Sequence, residues 1–336
     1  MGRAVWLMVL LVGQWGIGQA DQFASHARYM QKDNPSFFGY NSLNRVGILY
    51  NSVAVNANER LDNKYFYGSL SFDELRFSLG LELNALNVQS NGLTNTLASL
   101  AYVYKVQLST DLYFLPAISL GMGSSRVNIN DFVFEDQLNA TTGFINTESI
   151  DPLGDRLSNV NYFDLGASFI IHSTRFMTGL SLKHLNRPNT SFNKEKQDRL
   201  PVLISLQGSY EIDLNPYERG LLPRYSFLYL YGVLYKIPRA TIFNFSQEIQ
   251  MGPIAFGTSQ QLAFTDRPRF NNLGVSMALS VENFDFGLQY NFPFRKQNEV
   301  YAPSLFELYV SFNFTPFRRN NRGLFKRLQT DNYLSP

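Results

Sequence analysis

The chain has 336 residues, contains no cysteine, and balances 29 Lys and Arg residues against 27 Asp and Glu residues. The absence of cysteine excludes a disulfide framework, a cysteine-based zinc site and thiol catalysis. The balanced charge argues against nucleic acid as a partner. Past the N-terminus the sequence has no apolar run of about eighteen residues, so it predicts no membrane-spanning helix.

Residues 1–20 have the pattern of a secretory signal peptide. Arg3 supplies a positive charge, an uncharged and largely apolar stretch follows, and residues 18–20 read Gly-Gln-Ala, a small-x-small cleavage site. We expect cleavage after Ala20 and a mature N-terminus in the periplasm; the alternative is an N-terminal membrane anchor. Residues 21–44, which follow, contain the turn signal Asn34-Pro35 and no spanning strand.

Residues 74–86 alternate strictly between apolar side chains at odd positions and polar or small side chains at even positions. This period of two predicts a strand with one apolar and one polar face. Its length matches the roughly 9–11 tilted residues that a strand needs to cross a membrane. A register shift of one residue would turn Arg76 and Glu82 toward lipid. An arginine near the bilayer midplane would destabilise the barrel by about 2–4 kcal/mol.

The same alternation recurs along the chain and predicts an all-β fold, a transmembrane antiparallel β-barrel of about fourteen strands at residues 45–317. The predicted strands are Arg45–Val55, Tyr65–Phe72, Glu74–Leu86, Thr96–Leu108, Leu112–Met122, Tyr162–Ile171, Phe176–His184, Leu203–Ile212, Tyr225–Tyr235, Thr241–Met251, Ile254–Gln261, Leu273–Val281, Phe284–Phe292 and Leu305–Phe314. A half-buried strand of a soluble sandwich has the same pattern. A sheet that spans a membrane must close into a barrel, because in lipid every backbone N–H and C=O group must be hydrogen-bonded within the protein. Residues 21–44 would then lie at the periplasmic entrance or plug the lumen.

The connections alternate between short and long, as the periplasmic turns and surface loops of such a barrel do. Two connections depart from this rule: the stretch 213–223 is long for a turn, and the stretch 236–239 is short for a surface loop. An error in the strand count between residues 200 and 265 would explain both.

The C-terminal segment, residues 318–336, is a basic tail that we place in the periplasm. Its clustered cations are Arg318, Arg319, Arg322, Lys326 and Arg327. They are candidates for docking to a periplasmic partner; a solvated tail or a lipid headgroup contact is the alternative.

The sequence offers little catalytic chemistry. A serine hydrolase needs a histidine base beside its nucleophile, and the histidines of the mature chain are His26, His172 and His184. We place His172 and His184 on opposite rims of the barrel, so they cannot share a site, and we expect no enzyme. The acidic loop 128–155 has oxygen ligands that suit calcium but no EF-hand spacing, so a solvated loop is the preferred interpretation. We therefore expect no metal and no cofactor.

Two groups of segments resemble the PorP/SprF family of type IX secretion proteins from Bacteroidetes. The first is residues 22–39, with Gln22-Phe23, Tyr29-Met30 and the run NPSFFG at 34–39, where the family typically reads QFSQYM…NPAYAG. The second group comprises FDLGA at 163–167, HLNRPN at 184–189 and RLP at 199–201. Their order and spacing match over roughly residues 22–210.

The resemblance implies an outer-membrane barrel of a Gram-negative bacterium that acts with the type IX translocon or its periplasmic ring. It further implies that the protein anchors or helps to export a surface adhesin with a type B C-terminal domain, in some cases for gliding motility. The alternative is a passive or hydrophobic-solute channel. Water would be admitted by the polar lumen residues Arg76, Glu82, Lys105, Glu248 and Glu307.

Overall fold

The computed structural model describes residues 23–42, 44–54, 60–89, 92–127, 159–192, 197–217, 222–223, 226–238, 240–264, 268–294 and 304–314. The predicted signal peptide, the acidic loop 128–155 and the basic tail, with all five of its candidate docking residues, lie outside these ranges. Within the described residues, no helix is both long enough and apolar enough to span a membrane. The predicted boundaries at residues 20, 44 and 317 stay predictions.

The described strands form one antiparallel sheet that closes on itself. The strands are β1 (Arg45–Ala54), β2 (Arg60–Phe72), β3 (Phe77–Val88), β4 (Leu93–Tyr104), β5 (Val106–Ser109), β6 (Leu112–Val127), β7 (Val160–His172), β8 (Phe176–Lys183), β9 (Leu203–Asp213), β10 (Ser226–Ile237), β11 (Ala240–Met251), β12 (Ile254–Phe264), β13 (Pro268–Val281), β14 (Phe284–Pro293) and β15 (Ser304–Asn313). β4 and β5 are two pieces of one span, since both pair with β6, and β1 pairs with β15. The predicted closed barrel of about fourteen strands is therefore confirmed.

Alternation along each strand separates an outer apolar face from the lumen. On β3, Leu79 is 41% exposed on the outside, whereas its neighbour Ser78 is buried inside. The outer face carries a band of exposed apolar side chains on all sides, including Ile48, Leu81, Leu100, Ile118, Leu206, Val275, Leu288 and Leu308. Such a band is what the hydrocarbon of a membrane requires of a barrel, and it supports the predicted outer-membrane location.

The predicted start of the third strand, at Glu74, is wrong. Residues Asp73–Leu75 form a short 3₁₀ turn, and Arg76 follows it in the left-handed conformation with a φ of 56°. Arg76 is therefore a turn residue and not part of the lumen face. The period-two pattern continues through the turn because alternation in the sequence carries no signal of where the backbone reverses.

The strand count between residues 200 and 265 is correct, so both unusual connections are real. β9 ends at Asp213 and β10 begins at Ser226, which leaves a long connection at the rim that otherwise has short turns. At the opposite rim β10 passes to β11 between Ile237 and Ala240. We call the rim where β2 joins β3 the short-turn rim, and the rim where β1 joins β2 the long-loop rim.

The lumen contains the N-terminal segment, which we call the plug (residues 23–42). It consists of a one-turn helix, α1 (Met30–Asp33), and a kinked 3₁₀ segment, Pro35–Ser42. Every residue from 23 to 39 except Arg28 is buried. A helix this short is unstable by itself, so the surrounding barrel wall must hold it.

The plug leaves the lumen at the short-turn rim, where the carbonyl of Asn44 accepts a hydrogen bond from Phe314 N at 2.9 Å. At its other end Ala24 packs with Val53 and Leu305, close to the long-loop rim. Strand β1 starts at the predicted periplasmic rim. The first described residues lie deep in the lumen and toward the opposite side, where one of our two expectations for residues 21–44 placed them. The periplasmic position of the mature N-terminus stays a prediction, because residues 21 and 22 lie outside the described ranges.

Candidate functional site

The plug is anchored first by a buried carboxylate on β15. Glu307 is 0% exposed and accepts hydrogen bonds from the backbone amides of Ala24 and Ser25 at 2.8 and 2.7 Å, as well as from the Ser25 hydroxyl. Asn51 Nδ2 of β1 donates a further bond at 2.6 Å. Since an unpaired buried charge is very costly, these charge-assisted bonds tie the start of the plug to the wall.

A bidentate ion pair holds the next part of the plug. Arg28 Nε donates to Glu248 Oε2 at 2.8 Å, and its terminal nitrogen donates to the other carboxylate oxygen. Both side chains are largely buried. Removing one partner would leave the other charge buried and uncompensated, which costs about 3–5 kcal/mol.

The helix α1 is held by the inward aromatic face of β10. Asp33 accepts hydrogen bonds from the hydroxyls of Tyr231, at 3.0 Å, and Tyr235. His26 Nδ1 lies 3.1 Å from both oxygens of the same carboxylate. The sequence did not predict this cluster, because Leu228, Leu230 and Leu234 make the other face of β10 equally apolar and the alternation does not tell the two faces apart.

Strands β3 and β8 bind the side chain and the backbone of Lys32 in α1. The ammonium of Lys32 donates to Asn84 Oδ1 at 3.0 Å and lies 4.7 Å from the centre of the Tyr65 ring. The carbonyl oxygen of Lys32 accepts a bond from Lys183 Nζ at 2.5 Å. Together with Glu248 of β11 and Glu307 of β15, these contacts tie the plug to both sides of the lumen.

The NPSFFG run of the plug makes polar contacts with strands β7–β9. Asn34 Nδ2 donates to Gln207 Oε1 at 3.0 Å and to the carbonyl oxygen of Phe169 at 3.2 Å. The hydroxyls of Ser36 and Ser168 lie 2.8 Å apart. The NPSFFG run of the plug therefore packs on β7–β9, and β7 is the strand that contains the FDLGA run.

On the half of β7 nearer the long-loop rim, the HLNRPN run takes the place of a neighbouring strand. β8 pairs only with residues 167–172 of β7. Closer to the long-loop rim, the side chain of Asn186 donates a hydrogen bond to the carbonyl of Phe163 at 2.6 Å and accepts one from the amide of Leu165 at 3.1 Å. His184, in the left-handed conformation with a φ of 60°, turns the chain across this edge and lies 3.0 Å from Asp164.

Of the five polar residues that we expected to line a water-filled lumen, three form hydrogen bonds within the protein. Glu307 and Glu248 hold the plug, and Glu82 accepts bonds from Tyr65 at 2.5 Å and Ser99 at 3.1 Å. Lys105 and Arg76 lie instead at the short-turn rim, where the amide of Lys105 donates to the carbonyl of Arg76 at 2.8 Å.

The three described histidines lie on different parts of the fold. His172 ends β7 at the short-turn rim, and His184 follows β8 at the other end of the barrel, as predicted. His26 lies in the plug. Among the described residues, no group of three His, Cys, Asp or Glu side chains could hold a metal ion.

A small cavity lies at the boundary between the plug and one part of the wall. A cavity of about 10 Å³ lies between the plug and β11–β14, with Ser25, Arg28, Glu248 and Gln289 in its lining. This volume accommodates about one water molecule. The cavity is therefore too small for a solute larger than water.

A sequence model of a protein family, described as "Type IX secretion system membrane protein PorP/SprF", matches residues 18–312. No curated protein matches the chain.

Several solved outer-membrane barrels have a similar fold. The outer membrane protein Omp33 of Acinetobacter baumannii is 7% identical, with a TM-score of 0.45, and the match covers 82% of this chain and all of that chain. The CymD monoaromatic hydrocarbon channel is 11% identical, with a TM-score of 0.46 and coverage of 90% and 96%. A mutant of the TodX monoaromatic hydrocarbon channel is 10% identical, with a TM-score of 0.49 and coverage of 84% and 93%. Identities and scores this low say nothing of a shared ligand.

Proposed function

The chain belongs to the PorP/SprF family of type IX secretion system membrane proteins, and from this premise we propose that it anchors one secreted surface protein, or assists its export, at the outer membrane. The proposed partner is an adhesin with a type B C-terminal domain, which in a gliding cell would serve motility. In this proposal the barrel is a scaffold without catalytic activity of its own.

The observation that carries the proposal is the plugged lumen. A passive channel needs a continuous path, whereas hydrogen bonds from β11, β14 and β15 on one side and from β3, β8 and β9 on the other hold the plug across the barrel. A closed barrel with a well-fixed interior suits a role in which loops and rims bind another protein. The plug therefore favours the scaffold over the passive or hydrophobic-solute channel.

The proposed test is purification of the full chain from outer membranes in mild detergent, with quantitative mass spectrometry of the proteins that remain bound. We expect secretion components or one large surface protein in near-equal amount. The matched control is an unrelated outer-membrane barrel with the same affinity tag, prepared from the same cells. Elution of the barrel alone under all mild conditions would contradict the scaffold role.

We further propose that the basic tail docks to a periplasmic part of the secretion machinery. Its five cations, Arg318, Arg319, Arg322, Lys326 and Arg327, would attract an acidic surface. Replacing all five with Gln should weaken retention of the machinery, whereas a scrambled tail of unchanged composition should keep most of it. If the variant with the neutral tail retains as much of the secretion machinery as the wild type does, the docking role is refuted.

A further inference from the structure

The lipid-facing surface of β11 and β12 carries a group of polar side chains, which we call the outer polar cluster: Gln247, Thr258 and Gln260. Their outward direction follows from the alternation along each strand. The chain neighbours Ser246 and Ser259 are buried in the lumen, and Glu248 holds the plug there. Within the cluster, Thr258 is exposed and the two glutamines are half-buried. The outer polar cluster therefore faces the membrane and not the lumen.

The cluster lies at the depth of the membrane hydrocarbon. On both strands, outward apolar side chains lie on either side of it, toward the long-loop rim (Phe245 and Leu262) and toward the short-turn rim (Ile249 and Phe256). Around the barrel, Leu230 of β10 pairs with Gln247, and Val275 of β13 pairs with Thr258. Polar groups surrounded by the apolar band in this way are out of reach of the headgroups and of bulk water.

The cluster satisfies its own hydrogen-bonding groups incompletely. Thr258 Oγ1 donates to Gln247 Oε1 at 3.0 Å, and Gln247 Nε2 donates to Gln260 Oε1 at 3.4 Å. The two contacts of Gln260 Nε2, with Gln247 Oε1 and Thr258 Oγ1, are both 3.5 Å long. A primary amide has two N–H groups, so one of those on Gln247 has no acceptor among the described residues. Since lipid tails offer no hydrogen bonds, an unpaired amide there is destabilising.

A second copy of this chain matches the cluster in depth and in chemistry. Copies inserted in one membrane share their orientation, so a two-fold axis along the membrane normal places each cluster against its own image at the same depth. An amide carries both donors and an acceptor, so the cluster is complementary to itself. It has no charge that would repel the other copy, and the apolar side chains around it can pack against their images.

We propose that the outer polar cluster is the centre of a homodimer interface within the membrane. Gln247 and Gln260 of one copy hydrogen-bond to the same amides of the second copy across the two-fold axis. Hydrogen bonds between side chains stabilise the association of membrane-embedded elements, where no hydrophobic force between them operates. The inference is independent of the proposed function, because it concerns the outer face of β11 and β12 and involves neither the plug nor the rims.

The first test is photo-crosslinking of the full chain in native outer membranes. A crosslinking amino acid at position 258 should give a covalent species of twice the chain mass that contains peptides of this chain alone. The matched control carries the same group at Leu100, a lipid-facing residue of β4 across the barrel from β12, and should give no such species. Crosslinks from position 258 only to lipid or to a different protein, or equal dimer from position 100, would overturn the inference.

The second test measures dimer dissociation in lipid vesicles, by energy transfer between labelled copies at increasing protein-to-lipid ratio. We expect Q247L/Q260L to raise the dissociation constant about tenfold, because the bonds between the amides of the two copies are lost. Its heat-modifiable mobility should match that of the wild type, since Leu suits a lipid-facing position. The control T96L replaces an exposed, lipid-facing polar residue of β4 and should leave the dissociation constant unchanged. A wild type that stays monomeric, or a folded Q247L/Q260L that dimerises as the wild type does, would overturn the inference.

Discussion

At the scale of single residues, the fit of the plug depends on the absence of side chains in the wall. The ring of Phe38 lies where a Cβ on Gly80 would be, with Cδ2 only 2.1 Å from that position. On the plug itself, a Cβ at Gly39 would come within 2.7 Å of Val103 Cγ1. Glycine is needed at both positions because the plug and the wall approach each other closely there, and not because the backbone adopts a conformation that only glycine tolerates.

We predict that Gly80→Ala displaces Phe38 and destabilises the folded barrel by about 1–3 kcal/mol, as overpacking of a core does. Urea unfolding in lipid vesicles measures the change. The matched control is Gly68→Ala on the neighbouring strand, where the nearest atom, Val46 Cγ1, would lie 3.8 Å from the new Cβ. Equal stability of the two variants would show that the plug does not press against β3.

Residue-level prediction from the sequence succeeded where side-chain alternation was the only question. It placed Ser78 and Glu82 inside and Leu79 outside, and all three do lie there. It failed at Arg76 and gave no sign of the β-bulge at Asn271, where β13 has one residue more than its partner β12. A left-handed turn residue and a bulge change the direction of a side chain without changing the pattern of residue types. Both positions depend on how neighbouring strands pair.

At the scale of elements, the plug is a segment with almost no structure of its own. Its helix is one turn long, and its 3₁₀ segment contains the non-helical residues Tyr40 and Asn41. Such a segment is ordered by contacts with the wall, which replace the hydrogen bonds that a longer helix would make internally. The resemblance singled out NPSFFG, but only the closed barrel shows that this run packs on β7–β9.

We predict that the double variant S36C/S168C forms a disulfide in native outer membranes, because the two hydroxyls lie 2.8 Å apart. The chain has no cysteine of its own, so no other thiol of the chain competes. The control pair S71C/S78C, whose hydroxyls are 3.0 Å apart within the wall, should also oxidise. A disulfide in the control but not in S36C/S168C would show that the plug is not seated against β7.

At the scale of the whole molecule, closure of the sheet determines what the lumen can contain. Small barrels are filled by their own side chains, whereas larger ones leave a water-filled interior. Here the fourteen spans leave room for a segment of about twenty residues, and hydrogen bonds from strands on opposite sides hold it in place. The result is a barrel whose lumen contains its own N-terminal segment.

We predict that the full chain shows no stepwise ion conductance in planar bilayers and that deletion of residues 23–42 produces it. The reason is that the plug, and not the width of the barrel, closes the path. The control is a variant that lacks residues 318–336 and keeps the plug, and it should show no stepwise conductance. Conductance by the full chain would favour the channel over the scaffold.

The sequence by itself determined that the chain forms about fourteen amphipathic strands, which of their side chains face lipid, and most of the alternation between short and long connections. These follow from a period of two and from local turn chemistry, which depend only on neighbouring residues. Only the tertiary structure decided that residues 23–42 fill the lumen, that Arg28 meets Glu248 and that Ala24 and Ser25 meet Glu307. These partners are separated by 220 to 283 positions, and no local pattern encodes a contact that exists only after the sheet has closed around the segment.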